Sequence, residues 1–203
     1  MIDSYLTLAK PATARVNRKK SRFLGFVFPI DSAERIEEKR AELRRTYRDA
    51  THHCWASRLL CDELVIESAD DDGEPAGSSG PPILHHLSGA DVVNVLAVVV
   101  RYYGGTKLGV GGLIRAYGDT AQEALAKATV IRKRVTVHLQ VSYPPEVTSG
   151  VMATLHRFNA QIERIEYDAL ATAVVGLPPS QGDRFRDAVR EATGAQATME
   201  VLA

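Results

Sequence analysis

The sequence contains few cysteines and lacks any apolar run long enough to span a membrane. Cys54 and Cys61 are the only cysteines in 203 residues, too few for the disulfide framework of a small secreted protein. The longest apolar run, residues 92–100, is interrupted by Asn94, whereas a membrane helix needs about 20 apolar residues. The first twenty residues contain no apolar segment typical of a signal peptide. These absences predict a cytoplasmic protein with no membrane partner.

The sequence also lacks a net charge, since 25 basic residues balance 25 acidic ones. Whole-chain charge therefore gives no indication of nucleic-acid binding, although residues 1–134 are mildly basic and the remainder mildly acidic. The composition, with 45% hydrophobic and 25% charged residues, is typical of globular proteins. A chain of this length is long enough for two small domains.

Hydrophobic periodicity predicts an α/β domain over residues 1–134. Residues 92–100 are apolar on both faces, which predicts a strand in the middle of a covered sheet. Asp31 or Ser32 is suited to cap the first helix, and Asp62-Glu63 is predicted to join two strands. The predicted strands are 12–16, 22–30, 52–60, 64–68 and 92–100, and the predicted helices are 33–47, 83–89 and 113–127.

A second domain is predicted over residues 135–203, after a boundary marked by Arg132-Lys133-Arg134. Ser180 is the predicted cap of its second helix. The element order is β-α-β-β-α-β, which is the ferredoxin-like plan. The predicted strands are 135–141, 161–168, 171–177 and 197–202, and the predicted helices are 144–158 and 180–193.

A glycine-rich loop, residues 104–112, lies between the apolar strand and a predicted helix. Glycine lets a backbone approach a ligand closely, and a helix N-terminus attracts anions. The loop lacks the G-K-[ST] ending of a Walker A motif, and Ile114 stands where a dinucleotide fingerprint needs glycine. A tight connection, with Tyr102 and Tyr103 in the core or at its rim, explains the glycines equally well. The candidate phosphate-binding or nucleic-acid-binding residues are Arg101, Gly104, Gly105, Lys107, Gly109, Gly111, Gly112 and Arg115.

A basic run near the N-terminus adds Lys20 and Arg22 as candidates for extending this phosphate-binding surface. A solvated hairpin turn is the alternative interpretation of the same run.

An acidic loop contributes Asp70, Asp71, Asp72 and Glu74 as a possible partner-binding or metal-binding loop. Clustered carboxylates can bind Mg²⁺ or Ca²⁺, but the spacing is not that of an EF-hand, and a surface turn is the commoner meaning. A third interpretation is that these carboxylates hold the basic glycine-rich loop in place, if the two loops meet.

No catalytic residue, metal site or cofactor is predicted. His52 and His53 are neighbours on a strand and point to opposite faces, so they are poorly placed to share a metal. Cys54 lies on the same strand, and a half-buried strand cysteine is usually inert. Ser78 and Ser79 lack the G-x-S-x-G elbow of a hydrolase.

Several blocks of the sequence resemble the YigZ/Impact family in the same order. They are Lys20-Ser21-Arg22-Phe23, Ala50-Thr51-His52-His53-Cys54-Trp55-Ala56, Asp71-Asp72-Gly73-Glu74-Pro75-Ala76-Gly77 and residues 98–113. The resemblance implies an α/β domain of the ribosomal protein S5 domain 2-like class, followed by a ferredoxin-like domain. It further implies translation regulation, because eukaryotic Impact proteins restrain a starvation-activated kinase that phosphorylates translation initiation factor 2.

The expected function is therefore that of a non-catalytic, translation-associated binding protein. Its expected partners are ribosomal or other RNA, or a translation-related protein, and the sequence does not define its oligomeric state. Two alternatives stay open at this point. One is a Mg-dependent enzyme or nucleotide-binding protein acting on a phosphorylated small molecule, and the other is a pure protein-interaction module.

Overall fold

The computed structural model describes residues 1–61 and 63–202. The chain divides into two compact units, residues 5–133 and the residues from 134 onward together with residues 1–4. The first unit is an α/β domain and the second is a ferredoxin-like βαββαβ domain, so the predicted fold class is confirmed.

A five-stranded antiparallel sheet forms the framework of the first unit, with strand order β2-β3-β6-β4-β5. Two further strands, β1 and β7, pair in a separate small sheet. The elements are β1 (Ser4–Leu8), β2 (Ala12–Arg18), β3 (Ser21–Pro29), α1 (Ala33–Thr46), β4 (His52–Cys61), β5 (Leu64–Asp70), α2 (Gly80–Gly89), β6 (Val95–Tyr102), α3 (Val110–Ala126) and β7 (Val130–Arg134).

Strand β6 lies at the centre of the sheet and is buried along almost its whole length. Helices α2 and α3 pack against one face of the sheet, and α1 packs against the other. A central strand covered on both faces needs apolar side chains in both alternating positions, which explains the uninterrupted valine-rich sequence of β6. The prediction of a covered central strand is confirmed, and Ser32 is the cap of α1.

Several local predictions differ from the structure. The sequence does not predict β7, because this short basic strand pairs with the distant β1 and has no periodic signal of its own. The division between the two units falls between Lys133 and Arg134, within the predicted boundary Arg132-Lys133-Arg134. Gly111 and Gly112 lie in the first turn of α3 and not in a loop. The predicted Asp62-Glu63 turn includes residue 62, which lies outside the described residues, and Glu63 adopts a positive φ of 75°.

The second unit has the sheet order β11-β8-β10-β9, with Tyr143 and Phe185 fully buried in its core. Ser180 does not cap the second helix as predicted. Its hydroxyl and its N–H both donate to the Asp3 carboxylate, and the residue preceding the helix is Gln181, with no side-chain cap. The elements are β8 (Val137–Tyr143), α4 (Thr148–Arg157), β9 (Gln161–Tyr167), β10 (Ala171–Leu177), α5 (Gly182–Ala192) and β11 (Thr198–Leu202), with short 3₁₀ turns at Pro145–Val147 and Pro179–Gln181.

Within the described residues, no helix combines the length and the apolar character that crossing a membrane would need.

Candidate functional site

A cavity of about 530 Å³ in the first unit lies where β6 ends and the glycine-rich loop begins. Glu74 and Pro75 of the acidic loop line it together with Lys107, Leu108 and Gly109 of the glycine-rich loop. The two loops, which are more than twenty residues apart in the sequence, therefore meet at one site.

The floor of the cavity is a buried ion pair between Arg101 and Glu74, whose residues are 5% and 9% exposed. Nη1 of Arg101 donates to Oε1 of Glu74, and the Tyr117 hydroxyl donates to the same oxygen over 2.7 Å. Nε2 of His52 lies 3.8 Å from that oxygen. The charge of Arg101 is therefore compensated inside the protein, and Arg101 contributes to the cavity as part of a pair and not as the exposed cation that the sequence suggested.

Two other ionisable groups beneath the cavity are held in their neutral forms. Burial raises the pKa of the Cys54 thiol to about 12, and burial likewise raises the pKa of the Tyr117 hydroxyl far above its ordinary value. The Cys54 thiol donates to the carbonyl oxygen of Asp71 over 3.1 Å. A thiol with such a pKa supplies almost no thiolate at neutral pH, so this arrangement does not activate Cys54 as a nucleophile.

The acidic loop uses the carboxylate of Asp71 to hold its own backbone. Asp71 accepts hydrogen bonds from the N–H groups of Gly77, Ser79 and Gly80 and from the Ser79 hydroxyl. Ser79 and Gly80 begin α2, so this carboxylate satisfies donors at the N-terminus of that helix and complements its dipole.

The neighbouring carboxylates are also engaged with protein groups. Asp72 pairs with Arg44 and accepts the backbone N–H of His53, and Asp70 accepts the N–H of Asp72. Across residues 1–61 and 63–202, no group of three or more His, Cys, Asp or Glu side chains is arranged to hold a metal ion. The contacts favour the interpretation that the acidic loop is a structural support, which reaches the glycine-rich loop through Glu74 and Arg101.

We expect Asp71→Asn to make the free energy of unfolding fall less steeply as the pH is lowered from 7 to 2. Burial acts to raise the pKa of Asp71, but the hydrogen bonds from Ser79, Gly77 and Gly80 outweigh it and hold the pKa below the ordinary 3.8. Because the pKa of Asp71 is lower in the folded state than in the unfolded state, its contribution to stability is complete above pH 3.8 and is lost as the pH falls through the folded-state pKa.

Urea unfolding from pH 7 to pH 2 should show a shallower decline in the free energy of unfolding for the variant, and at pH 7 the variant should be less stable by about 2 kcal/mol. Asp183→Asn, at a carboxylate 78% exposed, is the control, and parallel profiles for all three proteins would contradict the assignment.

The glycine-rich loop is held against the β2–β3 hairpin by its own backbone. Lys19 and Lys20 form the two-residue turn with φ values of 44° and 68°, the left-handed pattern of a type I′ hairpin. The N–H of Gly104 donates to Oγ of Ser21 over 3.1 Å. A Cβ on Gly104 would lie 2.1 Å from the carbonyl carbon of Lys20, so only glycine fits at this approach. The sequence candidates Lys20 and Gly104 are thus brought together.

The N-terminus of α3 has no side-chain cap. It begins after Gly109, which has a φ of 72° and no side chain to accept hydrogen bonds. Within the described part of the chain, the N–H groups of Val110, Gly111 and Gly112 have no protein acceptor. Such groups carry the positive end of the helix dipole, so this terminus differs from that of α2, which Asp71 occupies.

Two exposed cations flank the uncapped terminus of α3. Lys107 is exposed at the cavity, and Arg115 is exposed one helical turn beyond Gly111, with its Nη1 3.9 Å from the position of a Cβ on Gly111. The structure therefore brings Lys107, Gly109, Gly111, Gly112 and Arg115 into one surface, which we call the α3 anion surface. Gly105, with a φ of 79°, turns the chain towards it.

Arg22 lies on the other side of the sheet, in contrast to the prediction that it extends this surface. In the β3–β6 register Arg22 is opposite Tyr102, and Phe23 is opposite Arg101. Since neighbouring strand residues point to opposite faces, Arg22 and Arg101 do too. The Arg22 guanidinium lies 4.1 Å from the centre of the Tyr102 ring, on the α1 side of the sheet.

Sequence reasoning did not identify the apolar part of the cavity. Tyr103 and Val110 line it and remain 47% and 52% exposed, and Leu108 and Leu113 line it as well. The sequence predicts Tyr103 in the core or at its rim, and its position just after a buried strand is the local signal for this role. Thr51 and His52, which also line the cavity, lie in a block that carried the family resemblance.

Comparison with known families assigns both units. The Impact N-terminal domain matches residues 19–125, a segment that contains the acidic loop, the glycine-rich loop and the cavity residues. The chain belongs to the IMPACT family. The second unit of this IMPACT family member matches a domain of unknown function, DUF1949, over residues 148–196.

The relatives include proteins matched over almost their whole length and proteins matched over only part of it. The chain is 33% identical over 204 residues to the IMPACT family member YigZ of Escherichia coli, covering 100% of this chain and 98% of YigZ. It is 34% identical over 111 residues to the protein IMPACT of Danio rerio, covering 53% of this chain and 34% of that protein. A crystal structure described only as that of a hypothetical protein superposes with a TM-score of 0.70 at 32% identity, covering 100% of this chain and 99% of the other.

Proposed function

We propose that this IMPACT family member is a non-catalytic regulator of translation that binds RNA, and ribosomal RNA in particular, through the α3 anion surface. The observation that carries the proposal is the uncapped N-terminus of α3 between two exposed cations, Lys107 and Arg115. The contrast with α2 strengthens it, because the protein supplies an acidic residue to one helix terminus and leaves the other open to an anion from outside.

The mechanism of binding is contact with backbone phosphates. The amides of Val110, Gly111 and Gly112 can donate to phosphate oxygens, while Lys107 and Arg115 supply positive charge. Contacts of this kind position an RNA without reading its sequence, and they release counterions, so binding weakens as salt rises. Eukaryotic members of the family regulate translation, which supports a ribosome-related partner for this chain.

The alternative of a Mg-dependent enzyme has less support from the contacts. A Mg-dependent enzyme would need the carboxylates of the acidic loop, but Asp71 and Asp72 already bind backbone N–H groups and Arg44. A nucleophilic mechanism would need a thiolate, which the raised pKa of Cys54 disfavours. A pure protein-interaction module is separated from the proposal by the experiment below.

We expect a Lys107→Ala/Arg115→Ala variant to co-sediment with ribosomes at least tenfold more weakly than the unchanged protein at low salt. Two lost phosphate contacts should also reduce the slope of log affinity against log salt by roughly 1.4 to 1.8. Sedimentation at several salt concentrations measures both quantities. A Lys127→Ala/Lys133→Ala variant is the matched control, because it removes two exposed lysines away from the surface, one of them at the opposite end of α3.

The outcomes separate the candidates. Binding that weakens with salt and is lost only in the Lys107/Arg115 variant supports the proposal. Absence of co-sedimentation at every salt concentration, or equal loss in both double variants, overturns it. A partner that survives nuclease treatment and does not depend on Lys107 would favour the protein-interaction module.

A further inference from the structure

Arg101 retains hydrogen-bond donors for which residues 1–61 and 63–202 supply no acceptor. Its guanidinium group has several N–H donors, and the contact to Glu74 is made by Nη1. The side chain of Arg101 is only 6% exposed. Its Nε is enclosed by protein and has no acceptor among the described residues. Buried donors are rarely left unpaired. Arg101 lines the cavity, and its Nη2, which donates to no described residue and is not enclosed, is the donor that an acceptor in the cavity would reach.

Glu74 retains an acceptor in the same place. Arg101, Tyr117 and His52 all approach Oε1, and no donor from the described residues contacts Oε2. Glu74 also lines the cavity, with its side chain only 4% exposed. A guanidinium donor beside a carboxylate acceptor matches a ligand edge that carries an acceptor next to an N–H group. The edges of nucleobases have this pattern, and Arg and carboxylate side chains are common readers of them.

The walls of the cavity suit the flat faces of a planar ring. Leu108, Val110, Leu113 and Pro75 are among the residues that line it, and the Tyr103 ring stands beside them 47% exposed. The Arg101 guanidinium lies 5.4 Å from the centre of the Tyr103 ring, so floor and wall are in contact. The volume of about 530 Å³ falls within the roughly 300–1,000 Å³ typical of small-ligand pockets.

The anion-binding elements border the same cavity. Lys107, Gly109 and Val110 line it, and the uncapped N–H groups of α3 begin at Val110. A ligand that satisfies all of these groups has a planar heterocycle with donor and acceptor atoms, joined to a phosphate.

We propose that the cavity binds one ribonucleotide unit, with its base stacked on Tyr103, the edge of that base at the Arg101–Glu74 pair, and its phosphate at the N-terminus of α3. This inference rests on the proposed function and extends it, because phosphate contacts alone would not need the cavity. The unit has two sources with the same chemistry, a free mononucleotide or an unstacked nucleotide of single-stranded RNA.

The test is calorimetric titration of the full chain with the 5′-ribonucleoside monophosphates, with ribose 5-phosphate and with a single-stranded RNA hexamer. We expect the monophosphates or the hexamer to bind at least tenfold more tightly than ribose 5-phosphate, which lacks the base. Tyr103→Ala should weaken nucleotide binding by about tenfold or more, because it removes the stacking ring. Tyr167→Ala is the control, since it removes a tyrosine that is 68% exposed in the second unit. Unchanged melting temperatures for both variants would show that the fold is retained.

Each outcome has a defined meaning. Tighter binding of a monophosphate than of the hexamer identifies the free nucleotide as the source, and the reverse identifies RNA. Equal affinity for ribose 5-phosphate and the nucleotides, no measurable binding of any nucleotide, or no effect of Tyr103→Ala overturns the inference. If ribosome binding depends on Lys107 and Arg115 but not on Tyr103, the proposed function stands and the cavity inference fails. If mononucleotides bind through Tyr103 and ribosomes do not bind, the proposed function fails by itself.

Discussion

Replacing Glu74 with alanine is expected to lower the free energy of unfolding by about 3–5 kcal/mol. The change leaves the Arg101 guanidinium buried without its counterion, and it also removes the acceptor of the Tyr117 hydroxyl. A charge in a low-dielectric interior loses its hydration and recovers little of it unless an opposite charge is adjacent. The large effect therefore comes from the partner that is left unpaired, more than from the attraction that is lost.

Urea unfolding at pH 7 measures the effect, with Glu38→Ala as the matched control. Glu38 pairs with Arg35 on the surface of α1, where the side chains are 60% and 54% exposed, so its loss should cost less than about 1 kcal/mol. A Glu74→Leu/Arg101→Met double variant should recover much of the stability, because neither charge remains buried. Equal losses for Glu74→Ala and Glu38→Ala would contradict the view that the cavity floor is a desolvated ion pair.

Gly104→Ala is expected to lower the free energy of unfolding by about 3 kcal/mol. A Cβ at this position would lie 2.1 Å from the carbonyl carbon of Lys20 and 2.5 Å from the backbone nitrogen of Ser21. These are backbone atoms of a hairpin whose turn already has two lysines with positive φ, so the hairpin must move away from the loop. The same movement would break the hydrogen bond from the Gly104 N–H to Ser21.

Alanine substitutions at two other glycines distinguish the cost of crowding from the cost of a positive φ. Gly105 has a φ of 79° and open space around the position of a Cβ, so Gly105→Ala should cost about 1 kcal/mol through conformation alone. Gly89 has open space and an ordinary φ, and Gly89→Ala should be close to neutral. Thermal and urea unfolding of the three variants should rank them Gly104, Gly105 and Gly89 in decreasing cost. A Gly104 variant no worse than the Gly105 variant would show that the approach of loop and hairpin is not tight.

Part of the candidate site could be predicted from the sequence. The glycine-rich loop, Lys107 and Arg115 lie within one strand–loop–helix segment, where local spacing is sufficient to place them near a helix N-terminus. Arg22 is a candidate by its charge alone, and the register of β3 against β6 shows that its side chain lies on the opposite face from Arg101. The sequence gives no sign that Tyr103 lines a cavity or that Tyr117 donates to Glu74, since a tyrosine near a strand or helix is ordinarily a packing residue.

The sequence by itself determined most of the local elements and their order, except for the short strands β1 and β7. Ser32 caps α1, the prolines after Gly80 begin α2, and the valine-rich run after Asn94 becomes the covered central strand. These features depend on hydrogen bonds and side-chain spacing within a few residues, so they can be predicted from the sequence alone. The fold class of both units follows from the same local signals and from the family motifs.

Only the tertiary structure decided what the charged residues do. Glu74 neutralises Arg101 and Asp71 caps α2, whereas the N-terminus of α3 stays open. Each outcome depends on which distant segments meet and on whether they exclude water, since a carboxylate has the same appearance in a sequence whether it binds a metal, caps a helix or compensates a buried cation. Packing sets the local dielectric and the available partners, and these fix the roles of Glu74, Arg101 and Asp71.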